Sequence, residues 1–195
     1  LDLKFNSKII ENDVFYKQLP NFSWHGEDLD ISVLFWQPLF QEMSKHVSVG
    51  LCGQGADELH AGYQRYKDLD SHYKLIKSRL DDTNNSLDLN FATGPGSPWR
   101  DKKIFHNNNF SNLISTLQFE IERGQLSNFQ LRLADRHSMA FGLEARVPFL
   151  NYRHRHESYK VPLNWKVSHK EEKMALREAA KLTKLPKIVT NRPKM

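Results

Sequence analysis

A short apolar run that leads into a glycine-broken turn is the feature that most constrains the fold. Residues 47–51 form a short, mainly apolar run that has Gly50 near its end and Gly53 just after it. This pattern is typical of a buried parallel strand. Gly53 and Gly55 then break the chain, and a helix is expected to begin near Ala56. A buried strand that runs into a helix predicts part of an α/β layer.

Most of the remaining sequence has helical character. Residues 73–80 continue this pattern, but residues 81–98 accumulate Asp, Asn, Ser, Gly and Pro, which predicts a long loop. The last helix is expected to begin at Ser168, whose spacing to Glu171 is that of a capping box, and to stop at Pro186. The apolar positions at helical spacing are Leu34, Phe35, Trp36, Leu39 and Met43; Leu113, Leu117 and Ile121; Leu126, Phe129, Leu133 and Met139; and Ala175, Leu176, Ala179, Ala180 and Leu182.

We therefore expect one domain of the α/β class that is predominantly helical. Sheet other than the strand at 47–51 is expected only near Leu3 to Phe5. Residues 1–66 would form the end of the α/β layer, residues 67–125 a variable helical region with the long loop, and residues 126–195 a helical region that carries the later motifs.

Composition excludes several classes of protein. Hydrophobic residues make up 39% and charged residues 26%, which favours a globular chain over a disordered one. A net charge of +5 suits anionic ligands such as nucleotides and is too small for a dedicated nucleic-acid binder. No stretch reaches the roughly 18 apolar residues of a membrane span, and no secretory leader is visible. Because the first residue is Leu1, we expect a piece of a longer protein.

The cysteine and the paired histidines of the sequence do not indicate a metal site. The single cysteine, Cys52, excludes a disulfide framework and a multi-cysteine zinc site, and fits a reducing cytoplasm. His154 and His156 are flanked by Arg153 and Arg155, whose charges oppose a bound cation. We interpret both histidines as surface residues.

The first candidate site is the glycine turn. Backbone N–H groups at a helix N-terminus, reached closely because Gly53 and Gly55 lack side chains, can bind a phosphate or acyl-phosphate oxygen. Asp57 follows in the first helical turn, where the helix dipole alone would stabilise a carboxylate. It is equally suited to Mg²⁺, which takes one or two carboxylates and completes its shell with substrate phosphates. The residues alone leave both interpretations open.

The second candidate is the run of residues 133–150, in which charged residues stand among apolar ones. If the charges are buried, they must form ion pairs, so a structural salt-bridge network is one interpretation. The other is that a helix ends at Gly142 and resumes toward Pro148, and that Arg146 binds an anionic substrate through its guanidinium fork. The charged residues are Asp135, Arg136, Glu144 and Arg146.

The third candidate is the last helix. Lys173 and Arg177 are four residues apart and are expected to share a face. They form either a solvated, ion-paired face or a cationic clamp on a polyphosphate leaving group. The neighbouring charges in these interpretations are Glu171, Glu172, Glu178, Arg192 and Lys194.

These three places resemble, in the same order, motifs of the synthetase domain of glutamine-hydrolysing asparagine synthetases. That family belongs to the ATP-pyrophosphatase group of adenylating amide formers. Its motifs read Leu-Ser-Gly-(acid or Gln)-Gly-x-Asp-Glu-Leu-Phe-x-Gly-Tyr-x-Arg-Tyr, then Asp-Arg-x-Ser-Met-Ala-x-x-x-Glu-x-Arg-Val-Pro-Phe-Leu, then Lys-x-x-Leu-Arg-Glu-Ala followed by Leu-Pro and Arg-x-Lys. The matching residues are 51–66, 135–150, 173–179, 185–186 and 192–194, within a resemblance that covers about Pro20 to the end.

The resemblance implies a partial adenine-nucleotide-alpha-hydrolase-like layer and a set of site residues. The position of Gln54 is tied in the family to forming a β-aspartyl-adenylate, and Lys173 matches a lysine that neutralises pyrophosphate and stabilises the transition state. Asp57 matches a carboxylate associated with Mg²⁺. The implied site is catalytic at Gln54 and Lys173, binds ATP or phosphate at Cys52, Gly53, Gly55 and Arg177, binds the acyl substrate at Glu144 and Arg146, and binds metal at Asp57.

The chain departs from the family pattern at several positions. Its 195 residues contain no Ser-Gly-Gly-x-Asp-Ser loop, which holds pyrophosphate in the family, and no glutaminase domain with an N-terminal cysteine. Gln54 stands where many relatives carry a carboxylate, and it cannot act as a base. Cys52 replaces a serine, and Asn151 replaces a common aspartate. We therefore expect a chain that is truncated at both ends and is inactive alone.

The resemblance also implies a reaction and its partners. The reaction is ATP-dependent conversion of aspartate to asparagine with nitrogen from glutamine or ammonia, with ATP and Mg²⁺ required. A glutaminase domain or subunit is the expected partner, a homodimer is compatible, and neither nucleic acid nor membrane is expected. Two alternatives stay open: a related amide-forming enzyme with another acyl substrate, and a non-catalytic paralogue that acts as a binding module.

Overall fold

The computed structural model describes residues 7, 9–27, 36–74, 112–122 and 126–192 of the chain. Its contacts divide the chain into two compact units. The first unit comprises the described residues of Leu1–Cys52 and Gln130–Arg146, and the second those of Gly53–Phe129 and Val147–Met195.

The described elements are mostly helices, and two short strands lie in the first unit. In chain order they are α1 (Asn12–Gly26), α2 (Trp36–Ser44), β1 (Val49–Leu51), α3 (Ala56–His60), a 3-10 turn (Gln64–Lys67), α4 (Leu113–Glu122), a π-helical turn (Leu126–Gln130), α5 (Leu131–Met139), β2 (Glu144–Arg146), a 3-10 turn (Pro148–Leu150), α6 (Tyr152–Lys160), a 3-10 turn (Leu163–Trp165), α7 (Met174–Lys181) and α8 (Lys187–Thr190). Residues 69–74 are also helical.

The two strands of the first unit form a parallel pair. Val49, Gly50 and Leu51 stand opposite Glu144, Ala145 and Arg146. A Cβ atom at Gly50 would lie 2.7 Å from the Met43 Cε atom of α2. Glycine at this position therefore leaves room for the end of the Met43 side chain against the strand.

The helices of the first unit enclose a small core. Its buried apolar side chains include those of Phe22, Phe40, Leu133 and Leu143. Gln37 is fully buried, and its Nε2 donates to the Phe22 carbonyl oxygen at 2.6 Å. The buried amide thus joins α1 to α2, which gives this helix pair a fixed register.

The strand prediction is confirmed in position and direction but wrong in burial. Leu51 is 74% exposed, and Val49 is also exposed. The prediction also missed β2, because it placed a resuming helix before Pro148. Gly142, at φ +66°, instead turns the chain after α5, and residues 144–146 pair with β1. Glu-Ala-Arg carries little intrinsic strand preference, so pairing with β1 determines this conformation.

The second unit packs α3 against α4, α6 and α7. Ala61, Tyr66 and Leu117 form a buried cluster against which Tyr63 and Val167 pack. Glu120 of α4 is buried beside this cluster, where its Oε1 lies 3.6 Å from Arg65 Nη2 and 3.3 Å from His72 Nε2. The helix predicted from Leu113, Leu117 and Ile121 is confirmed as α4.

Lys166 is a second buried charge in this unit. Its Nζ donates to the carbonyl oxygens of Leu59 and Ser158, both at 2.7 Å. Burial lowers the pKa of Lys166 to about 8. The ammonium therefore replaces its lost hydration with two backbone carbonyls, which join α3 to α6.

Three helices went unpredicted: α1, α6 and the short α8 that follows Pro186. Pro20 lies inside α1, and proline is disfavoured in helix interiors. The sequence Tyr-Arg-His-Arg-His-Glu of α6 lacks an apolar stripe, and of that helix only Ser158 is buried. The interpretation of His154 as a surface residue is wrong, because its Nε2 lies 2.9 Å from the Nε2 of the buried His60.

The last predicted helix begins later than expected. Ser168 Oγ does accept the Glu171 N–H at 3.0 Å, as in a capping box, but α7 begins only at Met174. Lys173, at φ 53°, takes a left-handed conformation, so the helix that Ser168 was expected to cap starts only after Lys173. The predicted apolar face is not buried, and Leu182 is 91% exposed.

The expected α/β class is supported in its coarse form. The described residues are mostly helical and contain one two-stranded parallel sheet. The nucleotide-hydrolase-like layer stays a prediction, as does the division at residues 66 and 125. Residues 3–5 and 81–98, for which sheet and a loop were predicted, lie outside the described residues. Among the described residues, none of the helices combines the length and the apolar composition that a membrane span requires.

We predict that His60 makes folding of the chain sensitive to acid. Burial, assisted by His154, Lys166 and Lys173, lowers the pKa of His60 to about 4. An unfolded histidine titrates near 6.5, so the unfolded chain takes up a proton that the folded chain resists. His60 therefore reduces the free energy of unfolding by up to about 3 kcal/mol as the pH falls from about 6.5 to 4.

Urea denaturation of the parent chain and His60→Gln across this pH range measures the effect. The variant is expected to lose less stability on acidification, and the exposed His156 provides the matched control His156→Gln. Equal pH dependence in the parent and His60→Gln would contradict the prediction.

Candidate functional site

The turn before α3 contains four of the predicted site residues. Gly55 takes φ +90°, and a Cβ atom there would overlap the Leu150 side chain, so this position requires glycine. A Cβ atom at Gly53 would meet nothing within 4 Å, so the turn is open at that point. Gln54 is half-buried between them. The N–H of Cys52, the last residue of the first unit, donates to the Arg146 carbonyl oxygen at 2.7 Å and extends the sheet pairing.

Asp57 and Lys173 form an ion pair. Lys173 Nζ lies 2.8 Å from Asp57 Oδ1, and the two side chains are only 23% and 22% exposed. Asp57 lies in the first turn of α3, and Lys173 lies just before α7. Two residues that the sequence assigned separately, from motifs more than 100 positions apart, are therefore in direct contact.

Gly62 makes room for this ion pair. After α3 the chain turns through Ala61 at φ 54°, and the Gly62 N–H donates to the Asp57 carbonyl oxygen at 2.8 Å. A Cβ atom at Gly62 would overlap Asp57 Oδ1 and Lys173 Cε. Gly62 was not among the predicted site residues, although the first motif contains this glycine.

The loop that carries Lys173 is attached to the region around α3 at several points. Lys67 Nζ lies 2.6 Å from Glu172 Oε1, and the pKa of Glu172 is lowered by this contact. Val167 and Glu172 form an antiparallel bridge within the loop, and Lys166 donates to the carbonyl oxygen of Leu59. The backbone of Lys173 is thus fixed on its N-terminal side, which offsets the cost of its left-handed conformation.

Arg177 connects the beginning of α7 to the end of α8. Its Nε donates to the Glu172 carbonyl oxygen at 3.0 Å, and its Nη1 donates to those of Thr190 and Arg192 at 3.3 and 2.7 Å. Lys173 and Arg177 have different partners in the structure: Lys173, just before the helix, pairs with Asp57, whereas Arg177 donates to backbone carbonyl oxygens. Three of the five guanidinium N–H donors are used by backbone carbonyls.

Asp57, Lys173 and Arg177 line one cavity of about 370 Å³ in the second unit. Charged side chains and apolar side chains of α7 and α8 share its wall. Gln54, Gly53 and Gly55 are not among the described residues that line it. The other lining residues are Glu172, Leu176, Ala180, Leu185, Val189, Thr190 and Arg192.

Glu144 and Arg146 lie on β2 in the first unit. Arg146 Nε donates to Glu144 Oε1 at 2.8 Å, and both side chains are more than half exposed. This hydrogen bond lowers the pKa of Glu144. Arg136 forms a separate pair with Glu27 at 2.8 Å. Arg136, Glu144 and Arg146 therefore form separate, solvent-accessible pairs, not the buried network that one interpretation of the sequence required.

The described residues contain no cluster of three or more His, Cys, Asp or Glu side chains that could bind a metal. Asp57 and Glu172 are the carboxylates among the described residues that line the cavity, and each is paired with a lysine, Lys173 and Lys67 respectively. A single carboxylate is compatible with Mg²⁺ when substrate phosphates complete its shell.

Comparison with known proteins agrees with the motifs. The family model described as asparagine synthase matches residues 2–195. The chain is also similar to a protein of Bacillus subtilis (strain 168) named glutamine-hydrolysing asparagine synthetase 1, with 27% identity over 233 aligned positions. This alignment covers 97% of the chain and 37% of the relative, so the chain spans little more than a third of that protein. Because the family model matches nearly every residue, the chain belongs to the asparagine synthase family.

Proposed function

We propose that this chain carries part of the synthetase site of a longer enzyme that converts aspartate to asparagine. The reaction would use ATP, pass through a β-aspartyl-adenylate, and take nitrogen from glutamine or ammonia through a glutaminase domain or subunit. The observation that carries the proposal is the Asp57–Lys173 ion pair on the cavity wall. Family membership and the similarity to a glutamine-hydrolysing asparagine synthetase support it.

Lys173 is the proposed catalytic cation. Adenylation transfers AMP to a carboxylate and expels pyrophosphate, so negative charge builds up on the leaving group. A lysine ammonium is a compact point charge, and it is most effective where charge develops. The anchored loop fixes the origin of the Lys173 side chain, which limits the reorganisation that the reaction would require.

Asp57 is the proposed ligand of Mg²⁺. The bound ion would neutralise phosphate charge. The carboxylate is hard, only partly exposed and faces the same cavity as Lys173, which fits this role. Mg²⁺ and Lys173 compete for Asp57, so the carboxylate can bind the ion fully only after Lys173 moves.

The remaining site residues have proposed supporting roles. Cys52, Gly53 and Gly55 would approach ATP in the turn before α3, and neutral Gln54 would bind without acting as a base. Glu144 and Arg146 would contact the acyl substrate. Arg177 would combine two tasks, since its Nε holds the loop before α7 and its Nη1 holds the end of α8, and its Nη2 would bind a phosphate oxygen.

A second candidate function is a non-catalytic binding module. Gln54, which stands where many relatives carry a carboxylate, favours it. The two candidates differ in what a longer protein that contains a Ser-Gly-Gly-x-Asp-Ser loop would do with ATP and aspartate.

The 195-residue chain alone is expected not to release pyrophosphate from ATP in the presence of aspartate, ammonium and Mg²⁺. Removing one backbone or side-chain donor from a developing charge typically costs about 10²–10³-fold in rate, and this chain lacks a whole loop of such donors. A coupled pyrophosphate assay on the purified chain measures this. Mg²⁺-dependent release above the rate without protein would contradict the prediction.

Lys173→Ala is expected to lower kcat by about 10²-fold or more in a chimera that joins this chain to the part of the Bacillus subtilis relative that it does not span. The reason is that the benefit of Lys173 is greatest in the transition state, so KM for ATP should change less than kcat. Steady-state kinetics with ammonium as nitrogen donor tests this.

Lys181→Ala is the matched control for Lys173→Ala, because Lys181 pairs with Glu178 on the exposed side of α7 and does not line the cavity. An unchanged kcat with a raised KM in Lys173→Ala would withdraw its catalytic role. A parent chimera that binds ATP without turnover would favour the binding-module candidate.

A further inference from the structure

In the structure, each residue of the Asp57–Lys173 pair occupies the site of the other residue's proposed ligand. Asp57 Oδ1 contacts an ammonium where a divalent cation would bind, and Lys173 Nζ contacts a carboxylate where a phosphate oxygen would bind. The pair lies on the wall of a cavity large enough for small anions. The ligand-free site is therefore neutralised by its own residues.

We infer that the Asp57–Lys173 pair is a latch that a divalent cation and a polyphosphate open together. This inference rests on the proposed function, because it assigns the cation to Asp57 and the polyphosphate to Lys173. A cation alone must displace the ammonium from Asp57, and a polyphosphate alone must displace the carboxylate from Lys173. When both bind, two new ion pairs replace one.

The residues on either side of Lys173 hold its backbone in place, so the latch can open by movement of the Lys173 side chain. Lys67 anchors Glu172, the preceding residue, and the N–H of Met174, the following residue, donates to the Lys166 carbonyl oxygen at 3.1 Å. The Lys173 side chain has four rotatable methylene groups on this fixed origin. Opening the latch therefore requires side-chain rotation and no rearrangement of α3 or α7.

Arg192 also lines the cavity, and three other cations in this region have partners of their own. Lys67 binds Glu172, Lys166 binds two carbonyl oxygens, and Arg177 binds three. None of these contacts includes Asp57. Lys173 is thus the cation whose partner changes when ligands bind, and linkage requires each ligand to raise the affinity for the other.

Isothermal titration of the 195-residue chain with Mg²⁺ alone, and separately with inorganic pyrophosphate in EDTA, tests the latch. Lys173→Met is expected to bind Mg²⁺ about fivefold more tightly than the parent chain, the lower end of typical coupling between sites. Asp57→Asn is expected to bind metal-free pyrophosphate more tightly by a similar factor. Both follow because each substitution removes a competitor for the ligand.

Two further variants separate the contact from a general effect of charge. Lys181→Met and Glu178→Gln change the net charge equally, but they remove an exposed pair outside the cavity, and both affinities should stay at the parent values. Gly62→Ala retains both charges of the latch but places a Cβ atom against Asp57 Oδ1 and Lys173 Cε. It should therefore raise both affinities, and circular dichroism verifies that it is folded.

The outcomes distinguish the latch from the proposed function. Tighter binding in Lys173→Met and Asp57→Asn, with unchanged binding in the exposed-pair controls, supports the latch even if Gly62→Ala fails to fold. Binding by the parent chain that neither substitution strengthens overturns the latch and leaves the proposed function standing. Absence of Mg²⁺ and pyrophosphate binding in the parent and in every variant also overturns the latch, whereas the proposed function is tested separately by turnover of the chimera.

Discussion

The contact between Lys173 and Asp57 is the interaction on which the candidate site depends. It joins the short α3 helix to the loop before α7, and the neighbouring lysines repeat the connection: Lys67 binds Glu172, and Lys166 binds the carbonyl oxygen of Leu59. α3 has only five residues, too few for a helix that is stable by itself. These lysine contacts, and burial of Leu59 and Ala61, therefore hold α3 in place for its carboxylate to face the cavity.

Glycines provide the space that this arrangement requires. Gly55 turns the chain into α3 at a positive φ, and Gly62 leaves room for the two charged side chains to meet. Lys173 itself takes a positive φ, which is uncommon for a residue with a side chain. The left-handed backbone conformation of Lys173 raises the free energy of the folded chain moderately. Contacts between distant segments of the site offset this cost.

Local sequence patterns predicted the parts of the fold that local forces determine. The strand at β1, the turn at Gly53 and Gly55 and the helix α3 follow from apolar runs and glycines, and they were found where expected. β2 could not be found in this way, because its conformation comes from pairing with β1 across almost 100 residues. The capping pattern at Ser168 was misleading for a related reason: its hydrogen bond forms, but the left-handed Lys173 delays the helix.

The same distinction applies to the site. Motif order identified Asp57 and Lys173, yet no local pattern shows that they touch, that Gly62 makes their contact possible, or that Arg177 uses most of its donors on backbone carbonyls. The long-range pairing of His60 with His154 could not be predicted from the sequence either. The one available signal was that His60 stands where the family motif has an apolar phenylalanine.

The measurement that tests the central contact most directly is a double-mutant cycle on the free energy of unfolding, with Asp57→Asn, Lys173→Met and the double variant. A partly buried ion pair at 2.8 Å predicts a favourable coupling energy of about 1 kcal/mol between the two positions. Effects of the two substitutions that simply add, with a coupling energy near zero, would contradict the account, because the two side chains would then not be in contact in solution.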